Sequence, residues 1–543
     1  MKPVMHECDV AIVGLGPTGA MLANLLGQYG WSVIGLERDM EIYPATRAIH
    51  FDDECMRIFQ FAGLSGEVES TSEPFLEMEL KRTAHGKPLL KLRVDNQEHP
   101  YGYASAWWFH QPTFEEHLRA GLKRYPNVLS LFGVAVDEIT QTAERVVASG
   151  QSPSGERVRV AAKYLVGCDG GRSFVRKSAG ITFDSANFDQ NWVVVDTKTR
   201  IGKKDKSLPP NHAQICDPRQ PTTYVPVAGP HYRWELMVTG GKSLEEATDP
   251  AFVRRQISAF VDLDKIEIVR IASYNFHALW AKSWVSGRII LAGDAAHQMP
   301  PFLGQGMCAG IRDAHGLSWR LNLILSGRTD ASILGDYFHE RSVHVREIIR
   351  GAIFLGSLVQ TQNRLVAFLR DNLLLRPANS FGATRRAFMK GINRKRPLKG
   401  GCLGHSPLAG HLALQPPITL PDGTIDLLDE ALGRDFVVLA RTGTIVGHQK
   451  ILNDLRRAIP VSVLEFGDGS ERAAITDHTG VLKRWFHEHG IDFVLIRPDR
   501  YVFDAGLSSK LDEAVRGLLS SLAVGTSGVA AQKPAEPVSG FRT

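Results

Sequence analysis

A chain of 543 residues is too long for one compact core, and a usual domain size of about 100–200 residues implies two to four domains. With 43% hydrophobic and 22% charged residues, 28 Pro and 51 Gly, it is neither disordered nor fibrous, and a net charge of +5 gives no basis for nucleic-acid binding. Six dispersed cysteines form no CxxC pair and no apolar run approaches the roughly 18 residues of a membrane span, so a reduced, cytoplasmic chain with no metal site and no membrane partner is expected.

From Cys8 the run DVAIVGLGPTGAMLANLLGQYGWSVIGLERD predicts a strand, a glycine turn, a helix with apolar residues three to four apart, and a second strand ending at Glu37. Gly14, Gly16 and Gly19 form a GxGxxG in that βαβ unit. The first glycine permits the tight turn, the second lets the backbone approach a pyrophosphate, and the third lets helix and strand pack closely. The helix start offers free N–H groups to phosphates. Glu37 stands where an acid accepts hydrogen bonds from the adenosine ribose. Alone, this motif does not choose FAD over NAD.

Further along, CDGGRSFVR at 168–176 follows the predicted strand YLVG. Residues 188–271 change to short β-rich runs (NWVVVD, TTYVPV, YRWELMV) broken by Pro and Gly. The strand IILA then leads into GDAAHQMPP at 293–301, and helices are predicted from Gly306 to Leu375, ending at Arg376-Pro377. The stretch RRAFMKGINRKRPLK reads as a solvated basic connector, and the last αβ region carries strands FVVLA, VSVLEF and FVLIRPDRYVF. The predicted fold class is α/β (α+β overall). A Rossmann-like domain (1–187 and 272–376) holds an inserted β-sheet substrate domain (188–271). A basic linker (377–411), a domain at 412–524 that resembles thioredoxin-like folds, and a disordered tail (525–543) follow.

The glycine turn, the DG segment at Asp169 and the GD segment at Asp294 together resemble the three fingerprints of the group A flavoprotein aromatic hydroxylases, the family of para-hydroxybenzoate and phenol hydroxylases. RAIHFDDE, CDGGRSFVR, GDAAHQMPPFLGQGM and RPDRYV are most similar to the branch acting on meta-hydroxylated phenylpropanoid acids, over residues 8–520. The resemblance implies FAD as cofactor, NADH or NADPH and dioxygen as co-substrates, and hydroxylation of a small phenolic acid ortho to its hydroxyl. It implies that Asp294 binds the ribityl chain, that the backbone at Gly304, Gly306 and Met307 lies against the flavin pyrimidine, and that Arg47, Gln111 and Asp169 attend the cofactor and the reducing nucleotide. A helix starting there would aim its positive end at the charge of a reduced flavin.

Candidate catalytic residues are Arg47, Asp169 and His50. His50 reads either as the group that accepts the phenol proton or as a satisfied structural histidine. Tyr224, Arg233, Trp234 and Pro301 are candidate substrate contacts, with Arg233 able to receive a carboxylate. His297 reads as a residue that steadies the GD loop. One departure from the family pattern is Gly316, where Asn is usual. Gly240-Gly241-Lys242-Ser243 lacks the first glycine of a phosphate loop, since 236 is Leu, and His487-Glu488-His489 lacks HExxH spacing. The C-terminal domain, without a dithiol, reads as structural, as a homodimer or lid element. Other phenols, resorcinol-like or polycyclic, and a flavin reductase without oxygen insertion stay open as alternatives.

Overall fold

The computed structural model describes residues 4–95, 98–382, 384, 395–467 and 474–522; the expected disordered tail lies outside them, as does most of the basic connector. Strand Val4–Val13 lies between parallel neighbours, Arg157–Gly167 on one side and Val33–Glu37 on the other. Burial on both faces explains the apolar run at its end, residues 10–13. Val128–Phe132 extends this sheet beyond Val33–Glu37, and Ile289–Leu291 joins beside Arg157–Gly167, which returns the late chain to the first domain. Helix Pro17–Gln28 buries every residue from Gly19 to Gly27, wedged between helices Gln111–Leu122 and Gly306–Leu325.

The second sheet runs in the order His297–Gln298, Ile266–Ala281, Phe183–Thr199, His231–Met237, Thr222–Pro226, His212–Ile215, Glu77–Lys81, Pro88–Arg93. It thus extends past 188–271 and takes in a hairpin from before the insertion, because His212–Ile215 offers a free edge to Glu77–Lys81 in parallel register. One face packs Val193, Val195, Tyr224, Tyr232, Trp234 and Leu236 against helices Leu244–Thr248 and Pro250–Ile257. The opposite face looks into a cavity. Ser243 here caps its helix through a capping box, so the GGKS run is a helix start.

Two further expectations change. The helical stretch does not end at Arg376-Pro377: Pro377 sits in the first turn of a last helix, Arg376–Ser380, where a missing N–H costs nothing. The connector is not solvated throughout, because Lys395 is ion-paired at the cavity wall with Asp52 (3.1 Å) and Asp53.

The C-terminal sheet has seven strands, with Phe436–Arg441 central between Val461–Gly467 and Phe493–Ile496. It shares a core with the nucleotide domain, in which Trp319, Leu323 and Ile333 pack with Phe436, Phe493 and Leu518. Buried charges cross the same joint. Arg57 and Arg500 share Asp429 (2.6 and 3.1 Å), and Arg497 and Arg320 share Glu340 (2.9 and 2.8 Å). The Gly316 position faces this joint, since a Cβ there would lie 3.7–3.9 Å from Arg320, Asp499 and Arg341. His487 and His489 lie at the exposed end of helix Val481–His489. No helix among the described residues is long and apolar enough to cross a membrane.

Candidate active site

A cavity of about 1650 Å³ runs from the glycine turn to the open face of the second sheet. It exceeds the roughly 300–1,000 Å³ typical of a pocket for one drug-sized ligand, and so has room for a dinucleotide together with a small aromatic molecule.

At its phosphate end each glycine has a distinct reason. Gly14 has φ of 95° and a Cβ there would lie 2.5 Å from the carbonyl oxygen of Cys168; one at Gly19 would land on Gly14 O. Gly16 has nothing within 4 Å of a Cβ position, so its missing side chain leaves space in the cavity itself. No side chain caps the helix that follows. Its first N–H groups are thus left to a phosphate, and the cradle fits a pyrophosphate. Glu37 closes the turn, accepting the Leu15 N–H (2.7 Å) and the Asp39 N–H (3.1 Å), and still lines the cavity.

The Arg47 loop is held from two directions. Gln111 accepts the N–H groups of Arg47 (2.8 Å) and Ala48 (2.7 Å) and donates to Glu115 (2.7 Å), so its amide orders the loop. Arg233 donates to Asp196 (2.8 Å), Arg47 O (2.8 Å) and Thr46 O. Arg233 thus holds the loop through all three nitrogens while its side chain still lines the cavity. Tyr224 and Trp234 are corrected. Strand alternation turns them into the core on the far side of the sheet, where the Tyr224 hydroxyl donates to Pro209 O (2.7 Å). Arg47 keeps its own side chain exposed, stacked over Tyr43 with 4.6 Å to the ring centroid.

Asp169 accepts the Val175 N–H (3.0 Å) through one oxygen and leaves the other buried without a partner. Asp294 faces the cavity, and burial raises its pKa against the attraction of His297 and Arg47. His297 bonds Asp313 (2.7 Å), which also accepts from Gly293 N–H (3.0 Å) and Arg341 (2.8 Å). That geometry fixes the GD loop and turns His297 away from the cavity lining.

Beyond Pro301, Gly304 adopts φ of 65°, and a Cβ there would come within 2.7 Å of His50 Nδ1. Helix Gly306–Leu325 then starts at Gln305 with no side-chain cap, its first turn at the cavity wall. His50 lies 3.3 Å from Gly304 O through Nδ1 and packs edge-on against Phe75 and Trp108. Burial opposes its protonation, but Cys308 and Asp52 outweigh burial and lift its pKa above the usual value.

The sequence reading passed over two features. One is the buried cluster in which Arg312 binds Glu54 (2.7 Å), Gln305 (2.9 Å) and Asp52, while the Tyr501 hydroxyl donates to Glu54 (2.7 Å). Its only signal was the run of acids Asp52-Asp53-Glu54. The other is the aromatic wall of Phe75, Trp108 and His212, assembled from three separate strands and loops.

A nucleotide-binding βαβ unit and an open-faced sheet share one cavity, the arrangement of a flavoprotein fold, and the relatives of this chain are hydroxylases and flavin-dependent monooxygenases. A family described as "FAD binding domain" matches residues 7–352, and one described as "HcaD C-terminal domain" matches 410–521. A relative from Mycolicibacterium gilvum (strain PYR-GCK), named 3-(3-hydroxy-phenyl)propionate/3-hydroxycinnamic acid hydroxylase, is 33% identical over 95% of this chain and 92% of its own. A probable NADH-specific resorcinol 4-hydroxylase from Rhodococcus jostii (strain RHA1) is 33% identical over 97% of each chain. The solved structure of the flavin-dependent monooxygenase PieE with FAD and substrate shares the fold (TM-score 0.80, 19% identity, 96% of this chain and 99% of that one). The chain belongs to the FAD-binding family of aromatic hydroxylases, and FAD is its cofactor.

Proposed function

We propose that this chain uses NADH or NADPH and dioxygen to hydroxylate a 3-hydroxyphenylpropanoid acid, 3-(3-hydroxyphenyl)propionate or 3-hydroxycinnamate, ortho to its hydroxyl, giving a catechol. The observation that carries this reading is that likeness to the relative of that name spans 95% of the chain, including the strands that wall the cavity. Bound FAD supplies the redox chemistry that activates dioxygen. The protein supplies the rest. The glycine turn and its helix would hold the cofactor's pyrophosphate, Asp294 would bind its ribityl chain, and the uncapped start of helix Gly306–Leu325 would offer N–H groups to the flavin ring.

An aromatic ring becomes a strong nucleophile once its phenol loses a proton, and His50, an imidazole on the cavity lining whose pKa is lifted above the usual value, can hydrogen-bond the phenol oxygen. Phe75 and Trp108 keep that end of the cavity apolar, which excludes water from the reacting atoms.

A second reading, a neutral phenol of the resorcinol kind, is favoured by one observation: Arg233 is engaged by Asp196 and by the carbonyl oxygens of Thr46 and Arg47, so a carboxylate would have to compete with these acceptors for it. The deciding experiment measures hydroxylated product per nicotinamide nucleotide oxidised for 3-(3-hydroxyphenyl)propionate, 3-hydroxycinnamate, resorcinol and 4-hydroxybenzoate. Tight coupling with the two phenylpropanoids is expected. Efficient coupling with resorcinol alone overturns the first reading in favour of the second.

A further inference from the structure

Asp294 and Glu235 are carboxyl side chains on the cavity lining that have no hydrogen-bond or ion-pair partner among the described residues, but Asp294 is exposed to the cavity whereas Glu235 is buried. For Asp294 the absent partner is the cofactor's ribityl chain. Glu235 lies on the sheet, in strand His231–Met237, remote in sequence from every flavin motif.

The donors nearest Glu235 are directed elsewhere. Thr223 stands directly opposite it in the neighbouring strand, but the Thr223 hydroxyl donates to Gln214 Oε1 (2.8 Å). Arg233, the next residue on the same face, is bound to Asp196 and to the carbonyl oxygens of Thr46 and Arg47. On the other flank the register partner is Val194, which has nothing to donate. Glu235 is only 8% exposed, and what exposure it has is to the cavity. Desolvating a carboxyl that gains no donor destabilises a fold. A side chain kept in that condition is accounted for by a donor that arrives with a ligand.

We infer that Glu235 binds a ring hydroxyl of the substrate: its carboxylate accepts that hydrogen bond, so the cavity selects hydroxylated aromatic rings over the same rings lacking the hydroxyl. The inference rests on the reading of the ligand as a phenol. The aromatic wall suits the ring itself, with Phe75 and Trp108 in contact (centroids 4.1 Å apart) and His212 stacked on Phe75. A carboxylate on the same substrate is repelled from this face and must lie at another part of the cavity.

The test uses the full-length, FAD-loaded enzyme and its Glu235→Leu and Glu235→Gln variants. Dissociation constants are read from the perturbation of flavin absorbance for two pairs, 3-(3-hydroxyphenyl)propionate against 3-phenylpropionate and resorcinol against benzene. A hydrogen bond to a charged acceptor corresponds to about a ten-fold or greater preference for the hydroxylated member of a pair. That preference is expected in the wild type and is expected to collapse to within about two-fold in Glu235→Leu at unchanged FAD content. Should the leucine variant lose its fold or its FAD, the isosteric glutamine variant decides, with a fall in the preference of at least about three-fold.

An unchanged preference in the variants overturns the inference, as does a wild type that prefers the hydroxylated member of neither pair. A Glu235-dependent preference confined to the resorcinol pair removes the phenylpropanoid assignment and leaves Glu235 in place. Full coupling with the phenylpropanoid and an unaltered preference in Glu235→Leu does the reverse.

Discussion

A methyl group added at Gly16 meets nothing within 4 Å, whereas one at Gly19 lands on the carbonyl oxygen of Gly14. The two positions are therefore expected to fail differently. Gly16→Val should leave the melting temperature of the FAD-free protein near its original value and abolish most flavin retention on purification, because its side chain fills the phosphate cradle. Gly19→Val should lower the melting temperature of the FAD-free protein as well, since helix and strand can no longer approach. Equal melting temperatures for the two variants would contradict this division. A second expectation concerns acid. Burial holds the His315 imidazole at about 4, while in the unfolded chain it returns to about 6.5. The unfolded state then binds the proton first, so stability is complete above pH 6.5 and falls as pH drops towards 4, by up to about 1.4 kcal/mol per pH unit for this group. Thermal melts between about pH 7 and pH 5 should show that slope, and His315→Gln should reduce it without abolishing it. His212, depressed by burial to about 3, contributes in the same direction. The glycines were legible in the sequence because their constraint is local. The histidine's was not, because its burial comes from Phe61 and from the C-terminal domain's Asp499 and Arg500, both far along the chain.

Helix Gly306–Leu325 begins at the cavity wall and passes beneath the C-terminal domain. Its Arg312 binds Gln305, the residue at the helix start, and Glu54, which also accepts the hydroxyl of Tyr501. Arg312 and Lys395 hold Asp52 well below the ordinary carboxylate range despite the cost of its burial. Arg312→Met leaves Asp52 and Glu54 buried beside a neutral chain, a defect of about 3–5 kcal/mol that chemical denaturation would register. Tyr501→Phe removes one hydrogen bond and is expected to cost about 1–2 kcal/mol while loosening FAD binding several-fold through Gln305. Flavin affinity that is unaltered in Tyr501→Phe would show the cluster to be structural alone. Strand positions were legible as alternating patterns, but the pattern does not say which face meets a core. Helices Leu244–Thr248 and Pro250–Ile257 cover the side carrying Tyr224 and Trp234, and that choice inverted the expected substrate contacts. Lys395 misled for a related reason: a basic run looks solvated until Asp52 and Asp53 are placed beside it.

Across the whole molecule the C-terminal domain behaves as part of the core. Removing residues 411–543 would expose Trp319, Leu323 and Ile333 and strip Arg57 of Asp429 and Glu340 of Arg497. The truncated chain is expected to aggregate or to lose FAD on purification. Recovery of a monodisperse, flavin-loaded fragment with an unchanged melting temperature would show the joint to be dispensable. The second sheet has a different consequence. On strands His212–Ile215, Thr222–Pro226 and His231–Met237 the residues facing the cavity, Gln214, Thr223, Val225 and Glu235 among them, alternate with ones that build the core behind them. Selection on what the cavity accepts and selection on whether the sheet folds thus act on separate letters of the same strands. A lineage can drift from one aromatic compound to another by exchanging a handful of alternate side chains, and a laboratory library confined to those positions inherits the same freedom.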